Sequence, residues 1–201
     1  MSDIRIENVR LSFPSLLEPS QFNEKADPVF KAYFLIAKDD PQVKLIKAAM
    51  LEAANERWGE NGKKRLSVLF KKGDTCLRDG DEKVNRDDEV LDGYGGCYYI
   101  RANNAVQPLL LDRNENEIDK LKGKDIPYAG CFVHTVLNVW AQDSHNSIRV
   151  NAKLLGVMFA AEGEPFGSGP QRASASAFAG LSSSDGELDE PDGFDDDDLG
   201  F

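Results

Sequence analysis

The sequence is poor in the residues on which most enzymes and secreted proteins depend. Its 201 residues include three cysteines, two histidines and two tryptophans. Cys76, Cys97 and Cys131 are odd in number and widely spaced, which fits a reducing compartment better than a disulfide framework. There is no Asn-x-Ser/Thr sequon. No apolar run approaches the ~18 residues of a membrane span. The opening Met-Ser-Asp-Ile-Arg-Ile-Glu has no apolar stretch of the signal-peptide kind. A Walker loop, a dinucleotide fingerprint and a Gly-x-Ser-x-Gly elbow are all missing. Neither histidine stands near an obvious nucleophile, so the expectation is a protein with no catalytic residue and no cofactor.

Positive charge is scarce at one end only. The whole chain has 24 Lys+Arg against 35 Asp+Glu, a formal charge of −11. Residues 1–160 hold 23 basic and 24 acidic side chains, whereas residues 161–201 hold one base, Arg172, and 11 acids. The body is therefore near neutral, and long enough for one domain with a core. Residues 161–201 read as a flexible linker and an acidic tail. Gly163–Pro170 and the Ala/Ser stretch 173–184 are too small and polar to build a core.

Within the body the hydrophobic period is mostly two. Ile4 and Ile6 share one parity, and Val9, Leu11 and Phe13 the other, so residues 3–13 read as a strand with a bulge near Asn8. Residues 29–37 read as a second strand, with Phe30, Ala32, Phe34 and Ile36 on one face. The period then changes: Val43, Ile46, Met50, Ala53 and Trp58 mark a helix over 41–58, started by Asp40-Pro41 and stopped by Gly59. Residues 59–95 read as a polar excursion with short strands at Leu66–Phe70 and Thr75–Leu77. Strands return at Cys97–Ala102, Val106–Leu111, Cys131–Ala141 and Ile148–Phe159, the last two joined through a turn at Asp143–Asn146. A mainly β, Greek-key barrel of the oligonucleotide/oligosaccharide-binding (OB) kind with one helix accommodates this order, with a β-sandwich as the alternative.

Cations interleave with aromatics on the polar strand faces. Lys31 and Tyr33 share one face, as do Tyr99 and Arg101, Phe132 and Trp140, and Arg149 and Lys153. Rings that stack on bases and cations that neutralise phosphates are what non-specific single-strand binding requires. Lys63, Lys64, Arg65, Lys71 and Lys72 read as a basic arm that could clamp a backbone. The tail ends Asp195, Asp196, Asp197, Asp198, Leu199, Gly200, Phe201. Apolar residues at an otherwise solvated end suggest a docking element for protein partners, or one that occupies a basic groove.

Metal readings are weak. Cys131-x-x-His134 has zinc-like spacing, but positions i and i+3 of a strand face opposite ways. Asp112-x-Asn114-x-Asn116 imitates a calcium loop without its glycine or its closing acid. The acids Asp79, Asp81, Glu82, Asp87, Asp88 and Glu89 have no ligand spacing and read as a solvated loop.

Several segments together resemble a phage-encoded single-stranded DNA-binding family. They are Tyr128-Ala-Gly-Cys-Phe-Val133, Trp140-Ala-Gln-Asp143, Leu154-Leu-Gly-Val157, Gly163-Glu-Pro-Phe-Gly167 and the opening Val9-Arg-Leu-Ser-Phe-Pro14. The resemblance covers about residues 5–167. It implies an OB fold, non-sequence-specific coating of single-stranded DNA in phage replication or recombination, and the cytoplasm of an infected host cell. The tail is similar to the acidic, Phe-ended tails of bacterial and phage single-strand binding proteins. That implies recruitment of replication or recombination proteins and competition with DNA. A homodimer is compatible with this reading. Two other classes stay open: an acidic regulator that inhibits a DNA-binding enzyme by charge mimicry, and a metal-dependent nuclease.

Overall fold

The strand pattern closes into a barrel. The computed structural model describes residues 2–21, 23–24, 26–118, 126–144 and 147–166. Seven strands run along the chain: β1 (Ser2–Ser20), β2 (Val29–Ala37), β3 (Leu77–Asp79), β4 (Cys97–Asn104), β5 (Leu109–Leu111), β6 (Phe132–Ser144) and β7 (Ser147–Ala161). Five of them form the ring β1-β2-β4-β7-β6, with β6 returning to β1. All neighbours in the ring are antiparallel except β4 and β7, which meet in parallel through Ala102–Ala152 and Asn103–Lys153. This is the Greek-key order of an OB barrel, with β2 and β4 as its second and third strands. β3 lies against β4 where β7 diverges from it, and β5 pairs in parallel with β7.

The alternation of side chains explains the ring. Ile4, Ile6, Val9, Leu11, Phe34, Ile100, Leu137, Val139, Val150 and Leu154 point inward into one continuous apolar core. The parity switch in β1 is a real bulge. The register slips between Ile6 and Val9, and Asn8 takes φ 51°. Its N–H donates to His134 Nδ1 at 3.2 Å. A second irregularity, between Ser12 and Ser15, gives Phe13 φ 46° and turns its ring outward instead of into the core. Cys131 is buried while His134 lies on the outer face, so the two do not converge.

Helix α1 spans Gln42–Trp58 and buries the side chains whose spacing predicts it. Asp40 Oδ1 accepts the Gln42 N–H at 2.8 Å, and Gly59 at φ 57° ends the helix. The segment Leu66–Phe70 is not a strand. After a single 3-10 turn it lies in a second helix, α2 (Gly62–Lys71), with Leu69 buried and Leu66 and Phe70 packed against the core. The helices touch closely at Gly62: a Cβ there would collide with Asn55 and with the Ala54 backbone. Trp58 Nε1 and Arg65 Nη1 both donate to Asp143 Oδ2, at 2.8 and 2.9 Å, which ties the helix pair to the end of β6. Among the described residues no helix is long and apolar enough to cross a membrane.

Candidate nucleic-acid interface

The site is built on the outer faces of β2 and β4, and it begins with cross-strand register. Lys31 faces Asn103, Tyr33 faces Arg101 and Leu35 faces Tyr99, while Arg78 on β3 faces Tyr99 from the other side. Opposed residues share a sheet face, so these side chains form one surface. Around the parallel seam it continues to Lys153, Asn151 and Arg149 on β7. On β6 these face Asn138, Trp140 and Gln142 respectively.

Four rings cluster on this surface. Tyr33 lies 5.6 Å from Tyr99, Tyr99 lies 5.4 Å from Tyr94, and Phe13 lies 5.5 Å from Tyr33 and 6.5 Å from Tyr94. Their depths differ. Tyr94 is 1% exposed and Tyr99 6%, whereas Phe13 is 49% exposed and Tyr33 is half-buried. The lower pair supports the upper pair. Tyr94 Oη donates to Ser12 Oγ at 3.0 Å, and burial pushes its phenol up to about 12. Phe13 and Tyr33, with Lys31, Lys83 and Pro14, line an open recess of about 320 Å³. Neither lysine makes an ion pair among the described residues. The recess thus presents aromatic faces and ammonium groups together, the combination that takes a stacked base and its phosphate.

Beside the rings is a small notch of about 80 Å³ lined by Arg78, Arg101, Arg149, Asn103, Asn151 and Asp74. Arg78 donates to the Thr75 carbonyl at 3.2 Å and Arg149 lies 3.6 Å from Asp74. The Arg101 guanidinium is exposed and has no polar partner among the described residues. Three guanidinium groups around one carboxylate repel one another, and an anion entering the notch relieves that repulsion.

A strap closes the far side of the aromatic cluster. The chain stays on the barrel through Phe166, inside the segment that composition marks as linker. Arg10 holds it: Nη2 donates to the Glu164 carbonyl at 2.7 Å, Nε to the Gly130 carbonyl at 3.2 Å, and the guanidinium lies 4.0 Å from the centre of the Phe166 ring. Tyr128 Oη donates to the Gly163 carbonyl at 2.9 Å. Gly130, at φ +107°, lies so close to the Glu164 carbonyl that no Cβ would fit.

The predicted residues therefore separate. Lys31, Tyr33, Arg101, Arg149 and Lys153 share the surface, and Trp140 lies on its β6 margin; Tyr99, expected as a contact, is instead buried beneath Tyr33. Phe132 packs beside Gly163, under the strap. Lys63, Lys64, Arg65 and Lys71 are carried by α2, with Lys72 just beyond it, so they belong to a helix and not to a loop arm. Asp195, Asp196, Asp197, Asp198, Leu199 and Phe201 lie outside the described residues. Phe13, Arg78, Lys83, Tyr94 and Phe166 belong to the site without having been read from the sequence. The acidic loop is partly neutralised: Lys38 Nζ lies 2.6 Å from both Asp79 and Asp81. Asp112 Oδ1 accepts the N–H groups of Asn114 and Asn116, both at 2.8 Å, which makes the calcium-like stretch a side-chain-closed turn.

An OB barrel with a ring-and-cation surface over its second and third strands defines a nucleic-acid-binding class of fold and site. The chain belongs to the family described as "Enterobacter phage Enc34, ssDNA-binding protein", whose model matches residues 2–190. A relative from Acyrthosiphon pisum secondary endosymbiont phage 1, "Putative protein p50", is 35% identical over 187 residues, covering 92% of this chain and 96% of its own. Among solved structures, the single-stranded DNA-binding protein from bacteriophage Enc34 in complex with ssDNA superposes with a TM-score of 0.61. Its identity is 24%, over 82% of this chain and 89% of that one. The single-stranded DNA-binding protein gp2.5 of bacteriophage T7 gives 0.52 at 11% identity, over 94% and 99%. At these identities the structural likeness is one of fold.

Proposed function

We propose that the protein binds single-stranded DNA without sequence preference, coating strands during phage DNA replication and recombination in the host cytoplasm. The observation that carries this is the placement of Tyr33 directly opposite Arg101 on an outward face that runs on to Lys153 and Arg149. Bases stack on Phe13 and Tyr33, and phosphates follow Lys31, Arg101, Arg149 and Lys153. Family membership supports the same reading. The chemistry is binding alone, since stacking and charge neutralisation need no general acid, base or metal. The test is a titration with poly-dT, with duplex DNA and with RNA.

The acidic segment 185–201 has a second role in this reading. It recruits replication or recombination proteins through Leu199 and Phe201, and it competes with DNA for cations at low salt. It contains nine acids and no base. Deleting it raises affinity for poly-dT at low salt, and added salt shrinks the difference. An unchanged low-salt affinity would leave the segment no competing role.

A further inference from the structure

The cations of α2 and the face of α1 beside them are not absorbed by the DNA surface. Between the two helices runs an apolar groove of about 360 Å³. Met50, Leu51, Leu66 and Phe70 form its floor, and Lys47, Lys63 and Lys71 stand around it. No acidic side chain lines it, and none of the three lysines makes an ion pair among the described residues. Lys47 is held at the edge by rings, its ammonium 4.8 Å from the centre of Tyr98 and 5.9 Å from that of Phe70. Three ammonium groups without ion pairs around an open apolar floor suit an occupant with carboxylates outside and a bulky apolar side chain inside.

We propose that this groove docks an acidic peptide segment of a partner protein, anchored by leucine- or phenylalanine-type side chains. The floor argues for a peptide over a nucleic acid. Its one ring, Phe70, is half-buried with an edge-on contact to Tyr98, and Lys47 lies near its face, so bases find no stacking platform. Lys63 and Lys71 are about 12 Å apart along α2 at the helical rise. That length matches about two helical turns of a bound segment, the helix-in-groove mode of recognition. The lysines around the rim set the encounter rate and the choice of an acidic partner, and the floor sets its residence.

The test uses the full chain and a fluorescein-labelled peptide, Glu-Asp-Leu-Glu-Asp-Phe-Glu, followed by anisotropy. The peptide binds saturably, and replacing its Leu and Phe by Ala, or its acids by Gln and Asn, abolishes binding. Lys47→Glu and Leu51→Gln each weaken it roughly tenfold while poly-dT affinity stays unchanged. Circular dichroism confirms that both variants are folded, and the exposed Lys47 site serves if Leu51→Gln is not. Excess poly-dT leaves the peptide bound. The absence of saturable binding both in the full chain and in the chain lacking 185–201, or retained affinity in Lys47→Glu, overturns the proposal; binding only after that deletion makes the chain's own acidic segment the occupant and overturns the partner assignment. Displacement by poly-dT also overturns it, because the cations holding the peptide are then those that serve nucleic acid. The DNA-binding reading stands or falls separately, on the poly-dT titration itself.

Discussion

Tyr33 and Arg101 stand directly opposite each other on β2 and β4, so an aromatic ring and a guanidinium share one outward face of the barrel. Strand pairing fixes their spacing, and Tyr99 and Tyr94 support the ring from below. The surface is thus pre-formed, and in the proposed reading binding would not have to order it.

Tyr33→Ala should weaken poly-dT binding by about 1–3 kcal/mol, the usual worth of a base–ring stack. Because Tyr33 is only half-buried, the variant should melt near the parent. Tyr99→Ala behaves differently. With Tyr99 6% exposed, its loss opens a cavity and should cost about 3–5 kcal/mol of stability. Melting curves and fluorescence titrations of both variants separate support from contact.

Arg101→Gln and Arg149→Gln should each flatten the salt dependence of single-strand binding. Each phosphate neutralised contributes about −0.7 to the slope of log K against log salt. If each guanidinium holds one phosphate, each variant loses about that much. Titrations across a salt series read it directly, and an unchanged slope in both removes the notch from the DNA path.

Gly130→Ala should loosen the strap. The residue is at φ +107° and touches the Glu164 carbonyl. Strain of this kind costs about 1–3 kcal/mol, and the lowest-cost relief is release of Gly163–Phe166. Limited proteolysis should then cut near Phe166 sooner than in the parent.

Asp81→Asn should lower the melting temperature at neutral pH and leave a smaller difference in acid. Lys38 donates a hydrogen bond to the Asp81 carboxylate, and the Gly96 N–H donates a second. These hold the carboxyl below its ordinary 3.8. A carboxyl depressed by folding stabilises the protein above its unfolded pKa and loses that contribution as pH falls through the folded value. The parent and variant melting temperatures should therefore keep their separation down to about pH 3.8 and converge only as the pH falls on through the lower folded value. A gap that stays constant as the pH falls well below 3.8 would show that Asp81 acts through shape alone.

Much of this was legible in the sequence because period-two alternation is a strong signal. The Asn8 bulge follows from a parity switch, the β2 span from an unbroken aromatic and β-branched run, and the α1 face from Val43 to Trp58. Tyr33 and Arg101 could be placed on polar faces, but not opposite each other, since register between distant strands leaves no local trace. Phe13 shares the parity of Leu11, and only a second bulge turns it outward. Leu66, Leu69 and Phe70 have helical spacing over too few residues to outweigh a strand reading. Tyr94, Lys83 and Arg78 reach the site by tertiary closure of a polar stretch, which composition alone marks as loop. Gly163–Phe166 reads as linker because the close backbone approach that holds it is invisible in residue type.

The measurement that bears most directly on the central claim is a tryptophan-fluorescence titration of the full-length protein with poly-dT and with duplex DNA of matched length, at low and moderate salt. The account predicts tighter binding to the single strand, with affinity falling by about 0.7 log units per log unit of salt for every phosphate held. Equal affinity for the duplex, or a slope near zero, would contradict it.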